Sequence, residues 1–278
     1  MSFSIQTNIA SLQGQHNVTV NHGMLNQSLQ RLSSGYRINS AMDDAAGLGV
    51  SERMRSQLRG MAQAARNAND GLSVVQTAEG AMGEISNILI RMRELTVQSS
   101  SDSITNTERG YLNTEFQDMI SEINRITQST KFNGNVLLAG AFATTGLDFQ
   151  VGHDNGANFR ITVTVNDVST TGLGFAGTEA VDTKANAQAG MAVLDAALDT
   201  LNQARAGLGA KGNRLNVAAA AVNTVIENLS AANSRIRDVD VASETSAFSK
   251  SQVLMQAGVS MLAQANQQPQ LALKLLGG

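Results

Sequence analysis

The chain has 278 residues, 42% of them apolar, and a formal net charge of -3, which is enough for a sizeable core and argues against nucleic acid as the main partner. It contains no cysteine and no tryptophan, one proline (Pro269) and 4% aromatic residues. That excludes disulfides, thiolate catalysis and cysteine-based zinc sites, and favours long helices packed through small residues.

The first residues, MSFSIQTNIASLQGQ, carry neither a positive segment nor an apolar run, so no Sec-type signal peptide is expected. No apolar stretch approaches the roughly 18 residues that a membrane span needs. In the first 34 residues the only formally charged side chain is Arg31. The non-apolar face of this tail is Gln, Asn, Ser and Thr, groups that hydrogen-bond when buried without the desolvation cost of a charge. Burying its larger apolar residues, among them Ile5, Ile9, Leu12, Leu25, Leu29 and Leu32, offsets less than the entropy of ordering its backbone. The tail is therefore expected to be disordered alone and helical when enclosed. Three enclosures are open: pairing of the two tails in a monomer, burial in a polymer, and contact with a membrane.

A polar break, RLSSGYRINSAMDDAAGLG, follows at 31–49. Asp43 and Asp44 precede AAGLG and read as caps for the next helix, where a carboxylate complements the helix dipole. From Leu58 the small and apolar positions alternate by threes and fours through Ala68, Val75, Met82, Leu89 and Met92, the seam of a long helix. A second helix opens at the capping box Thr105-x-x-Glu108 and carries Leu112, Phe116, Met119, Ile123 and Ile126.

The pattern then changes to period two. Asn133-Gly134 reads as a hairpin turn, and FRITVTVNDV alternates Ile161, Val163 and Val165 with threonines, with a turn at Asp154-Asn155-Gly156 before it. This region, about 131–182, is too short for an independent domain and is expected as hairpins at the far tip of a helical rod. Gly172, Gly174 and Gly177 spell a dinucleotide fingerprint without the strand and helix that it requires, so GLGFAG reads as a flexible loop. The histidines His16, His22 and His153 have no metal-ligand spacing, and no nucleophile motif is present. No catalytic residue, cofactor or metal is expected.

Helical spacing returns at Met191, Leu194, Leu198 and Leu201, and again from Leu215 to Ile236. The glycines of AGLGAKGN between them allow one continuous bent helix or two helices end to end. A second polar break, AANSRIRDVDVASE at 231–244, mirrors the first. Beyond Ser251 only Lys274 is charged, and Val253, Leu254, Met261, Leu262, Leu271 and Leu275 form the apolar face. Folding the chain back brings the breaks to one level and the tails side by side. The expected architecture is mainly α: a long antiparallel, coiled-coil-like rod over 45–236, and an inner layer of paired terminal helices over 1–44 and 237–278. Arg31, Arg37, Asp43, Asp44, Arg235, Arg237 and Asp238 form the expected polar joint between the layers.

Both ends carry residues that resemble the bacterial flagellins. The N-terminal half has SLQRLSSGYRINSAMDDAAGLGVSERMRSQLRG, RNANDGLSVVQTAEGAM, RMRELTVQSS and KFNG; the C-terminal half has RAGLGAKGNRL, ENLSAANSRIRDVD and QAGVSMLAQANQQPQLALKLL. The resemblance implies a non-enzymatic subunit of the flagellar filament, secreted unfolded by the flagellar type III route and folded beneath a cap at the growing tip. It implies tails that line a channel, a minimal middle region, and partners in further copies, other flagellins, an export chaperone, the cap and hook-junction proteins. It also implies that Arg91, Leu95 and Glu115 match the surface read by the vertebrate Toll-like receptor for flagellin. The alternatives are a hook-filament junction protein and a membrane-active type III translocator with amphipathic tails.

Overall fold

The computed structural model describes residues 7–276, and side chains through residue 267. Helices α1 (Ile9–Ser34), α2 (Ala45–Ser99), α3 (Asn106–Ser129), α4 (Lys184–Arg237) and α5 (Val241–Leu276) dominate. Strands β1 (Lys131–Phe132), β2 (Asn135–Val136), β3 (Leu147–Gln150) and β4 (Arg160–Val163) form two small antiparallel pairs. Two compact units result, one of Met1–Ser56 with Asn228–Gly278 and one of Gln57–Glu227, so the division falls inside α2 and inside α4.

In the Gln57–Glu227 unit, the threes-and-fours spacing of α2 becomes a buried stripe: Ala78, Met82, Ile85, Leu89 and Met92 are all fully buried. Phe116 and Ile123 of α3 and Leu194, Leu201, Leu208 and Leu215 of α4 complete the core. Small residues set the helix spacing. Gly212 of α4 lies so near Val75 that an added Cβ would meet it at 3.3 Å, and one on Gly71 of α2 would meet Leu215 at 3.1 Å. Helix α4 is a single helix through AGLGAKGN, the first of the two open alternatives. Its stripe stays buried through Val222, and Val225 is exposed.

Helix α3 begins at the expected capping box: Thr105 accepts from the Glu108 amide, and Glu108 from the Thr105 amide. Arg109, buried, donates to the carbonyls of Ser99 (2.8 Å) and Ser101 (2.7 Å), and so satisfies carbonyls at the α2 end that no helix turn can reach. The β1–β2 turn has Asn133 at φ 47° and Gly134 at φ 83°, both left-handed, as a two-residue hairpin turn requires. In the β3–β4 ribbon, Phe149 pairs with Ile161 and Leu147 with Val163, and Ile161, Val163 and Val165 are buried, so the period-two alternation holds.

The ribbon corrects the expected position of the hairpins. They do not form the tip, which is the Ser99–Asn106 turn beside the Lys184–Asp102 ion pair (2.7 Å). Instead Asn67 of α2 donates to the Gln150 carbonyl at 3.0 Å, and Phe149 lies over Gly71. Helix α3 runs back along α2 and carries the strands toward the first third of that helix. The GLGFAG loop is also more fixed than expected, because Leu173 and Phe175 are buried in the core.

Candidate functional site

The terminal helices α1 and α5 lie antiparallel. Asn8 caps α1 by accepting from the Ser11 amide (3.0 Å) and donates to the Ala265 carbonyl (2.9 Å), while Ser11 donates to Asn266 at 2.7 Å. Glycines allow the helices to approach: an added Cβ would meet Leu262 at 3.1 Å from Gly14 and Val18 at 2.9 Å from Gly258. The buried residues of α1 are Ser11 and Ser28, both polar.

The apolar residues expected to form an assembly face remain largely uncovered. Ile9 is 67% exposed, Leu12 56%, Val253 63% and Met261 67%, and Leu29 and Leu254 are exposed as well. Leu25, Leu32 and Leu262 are half-buried. Ile5 and the side chains of Leu271 and Leu275 lie outside the described residues. Helix α1 is formed here with one partner helix, where the sequence led us to expect helix only under fuller enclosure. Capping by Asn8 and by Gly35, which takes φ 74° and donates to Arg31, satisfies the backbone ends, and the apolar flanks stay open.

The two polar breaks meet. Tyr36 and Asp238 form an isolated antiparallel bridge; the Arg37 amide donates to the Arg237 carbonyl (2.7 Å) and the Val239 amide to the Gly35 carbonyl (3.0 Å). The Arg37 guanidinium donates to the Ile236 carbonyl (2.6 Å), placing a cation on the C-terminal end of α4, where the helix dipole favours it. The Arg237 guanidinium stacks 4.5 Å above the Tyr36 ring and pairs with Glu52 at 2.7 Å.

Asp43 organises the first break from within. One carboxylate oxygen accepts from the Ser40 amide (2.9 Å), the Ser40 hydroxyl (3.1 Å) and the Asn39 amide (3.2 Å), and the other from Gln27 (3.2 Å). These bonds, the Ser40 amide foremost, hold its pKa below the ordinary carboxylate value. Arg31 reaches Asp43 at 4.0 Å and Glu244 of α5 at 3.7 Å. Asp44 caps α2 through the Gly47 amide (2.8 Å), and Asp240 caps α5 through the Ala242 amide (3.0 Å). Of the seven predicted joint residues, six take part in this cluster, Asp238 through its backbone alone. Arg235 is exposed and makes no ion pair or hydrogen bond among the described residues. Tyr36, Glu52 and Glu244 belong to the cluster and were not predicted. A lone tyrosine inside a polar break was the available signal for the first; the other two lie on helices whose facing could not be read from spacing.

Arg91 donates two bonds to Glu115 (3.0 and 2.9 Å) and one to Glu94 (3.0 Å), bonds that raise its pKa, with Glu94 first. Leu95 does not join them. It is fully buried in the core, because it continues the Met82–Leu89–Met92 stripe of α2, so Leu95 is not exposed beside Arg91 and Glu115 as expected.

This paired-terminus architecture, with a polar joint and a helical core unit, coincides with matches to known proteins. Residues 5–143 match the bacterial flagellin N-terminal helical region, and residues 191–276 match the bacterial flagellin C-terminal helical region. The chain belongs to the bacterial flagellins. It is 43% identical to a flagellin of Halalkalibacterium halodurans over 272 residues, which is 98% of this chain and 99% of that one. It is 39% identical to the flagellar filament 30.7 kDa core protein of Treponema maltophilum over 284 residues, with the same coverage. The crystal structure of Bacillus cereus flagellin superposes with a TM-score of 0.50 at 30% identity, covering 60% of this chain and 94% of that chain. This flagellin is a structural subunit of the bacterial flagellar filament, and none of its described helices is long and apolar enough to cross a membrane.

Proposed function

We propose that this flagellin polymerises through α1 and α5, whose uncovered apolar side chains are buried by neighbouring copies around a central channel. The observation that carries this reading is the contrast along one helix pair: Leu12 and Met261 are more than half exposed in a helix pair almost free of charge. An exposed apolar face without a charged rim is unfavourable in water and favourable inside a polymer. The joint made by Arg31, Arg37, Asp43, Asp44, Arg237 and Asp238, with Arg235 at its edge, is where an inner terminal layer (1–44 and 237–278) gives way to an outer layer (45–236). The reading is of a non-enzymatic subunit, exported unfolded by the flagellar type III route with a chaperone, and added beneath a cap beyond the hook-junction proteins. In free monomer, Arg91 and Glu115 present the surface that a Toll-like receptor would read.

Electron microscopy of the purified full chain with filament seeds tests it, beside a variant carrying Leu12→Asn and Met261→Asn. Both changed side chains are solvent-facing in the monomer, so its fold is expected to persist. Filaments from the parent chain and folded monomers from the variant are the expected result. A parent chain that ignores seeds would favour the junction protein, and leakage of liposomes would favour the translocator.

A further inference from the structure

The chain has no cysteine, so the thioethers of its 11 methionines are the only sulfurs that an oxidant can attack. The fold divides them. In the Gln57–Glu227 unit, Met61, Met82 and Met92 are buried and Met119 and Met191 are half-buried. The exposed thioethers among the described residues, Met24 (53%), Met42 (95%) and Met261 (67%), all belong to the unit built from the chain ends.

Two of them stand on the apolar face left open by the terminal helices. At 3.6 residues per turn, Met24 falls with Ile9, Leu12 and Val20 within about a third of the circumference of α1, and all four are exposed. On α5, Met261 lies two turns beyond Leu254 on one face, and both are exposed. Met42 lies in the first polar break, outside both helices.

A hydroperoxide converts a thioether to a sulfoxide in one balanced step. The sulfur lone pair attacks the distal peroxide oxygen, and the S–O bond forms as the O–O bond breaks. The proton on the transferred oxygen passes to the leaving oxygen, so hydrogen peroxide departs as water, reduced by the two electrons that sulfur gives up. The product side chain is polar and carries no added charge. In water its new acceptor is satisfied; enclosed against apolar neighbours it is left without a partner.

We infer that Met24 and Met261 are oxidation sites of the free subunit, and that sulfoxides there keep that subunit out of the growing filament. Met42 is oxidised as well, without effect on assembly, because its side chain packs against almost nothing. The inference rests on the filament reading, which encloses both helix thioethers. It adds a chemical selection: unassembled subunits are open to attack, and unoxidised ones are added.

Treating the monomeric full chain with hydrogen peroxide tests it, read by peptide mass spectrometry and by elongation of untreated seeds. A gain of one oxygen is expected first at Met24, Met42 and Met261, with Met61, Met82 and Met92 unchanged and helicity by circular dichroism retained. In filaments treated alike, Met24 and Met261 are expected to stay unoxidised. Elongation by the treated parent is expected to fall at least about tenfold, and to recover when sulfoxide reductases for both epimers are added with a dithiol. A variant carrying Met24→Leu and Met261→Leu keeps the apolar bulk without the sulfur; against its own untreated rate it is expected to lose less than about twofold. The Met42→Leu variant is expected to lose as much as the parent. Undiminished elongation by a parent that carries both sulfoxides, an equal loss in the double-leucine variant, oxidation of Met82 and Met92 as fast as Met261, or oxidation of Met24 and Met261 as fast in filaments as in monomers would overturn the inference and leave seeded growth of the untreated chain standing. If the untreated parent fails to elongate, the filament reading falls, and this inference with it.

Discussion

The α2–α4 pair and the α1–α5 pair are both antiparallel pairs of long helices with apolar residues at helical spacing, and they differ in what covers those residues. Helix α2 meets α4 on one side and α3 and the strands on others, so Met82, Ile85, Leu89 and Met92 are fully buried. Helix α1 packs along α5, buries Ser11 and Ser28, and leaves Ile9 and Leu12 mostly in water. Periodicity places a stripe on a helix; the number of neighbouring elements decides whether that stripe becomes a core. The terminal pair has the stripe without the neighbours, and on the proposed reading further copies of the chain supply them.

Paired truncations would break this contrast most directly. Leu201→Ala should cost about 2–5 kcal/mol of unfolding free energy, since it empties a fully enclosed site. Leu12→Ala should change monomer stability by less than about 0.5 kcal/mol, as a surface change does, while sharply reducing assembly. Denaturant melts of the monomer and seeded growth measure both. Equal losses in the melts would mean that α1 is already enclosed in the free chain. At the joint, Arg237→Gln removes the stack on Tyr36 and the Glu52 pair together, with an expected cost of about 1–2 kcal/mol. Hydrogen exchange at the Arg37 and Val239 amides should rise before any core amide is affected.

How legible this contrast was depends on the scale of the signal. The helices, the Thr105 capping box, the Asn133-Gly134 turn and the alternation at Ile161, Val163 and Val165 follow local rules, and all appear where the sequence puts them. Facing was less legible. Leu95 carries helical spacing and reads equally as surface or stripe until α4 fixes which side is inward. The place of the strands depended on α3 folding back along α2, a tertiary fact with no local signature. In the joint, Asp43, Asp44, Arg31 and Arg37 announce themselves by standing in a polar break. Glu52 and Glu244 lie inside helices rich in other polar residues, and only the meeting of Gly35 with Val239 selects them.

A smaller effect sharpens the contrast from the side of the core unit. Thr105→Ala removes one half of the capping box and should lower its stability by about 1 kcal/mol, visible as a modest fall in melting temperature. The terminal pair is not expected to respond, and a change in α1 exchange on this substitution would show the two units to be more cooperative than their separate packing implies.

The smallest expected effect separates the breaks from the core by pH. The Asp43 carboxylate has a lowered pKa in the fold because the Ser40 and Asn39 amides donate to its charged form. Its contribution is therefore fully present above the ordinary carboxylate value of 3.8 and is lost as pH falls through the lowered value. Asp102 and Glu122 of the core unit are lowered as well, by Lys184 and by Arg125, so acid alone weakens both regions. The Asp43→Asn variant isolates the joint: its amide oxygen still accepts from Ser40, but it carries no charge to lose. Protection of the Ser40 amide, its exchange relative to the intrinsic rate at each pH, should fall with acid in the parent and stay nearly flat in the variant, while core amides such as that of Leu201 respond alike in both. If the Ser40 amide loses protection equally in the two proteins, loop order comes from the Ile38 side chain buried beside Gly47, and the carboxylate is a bystander.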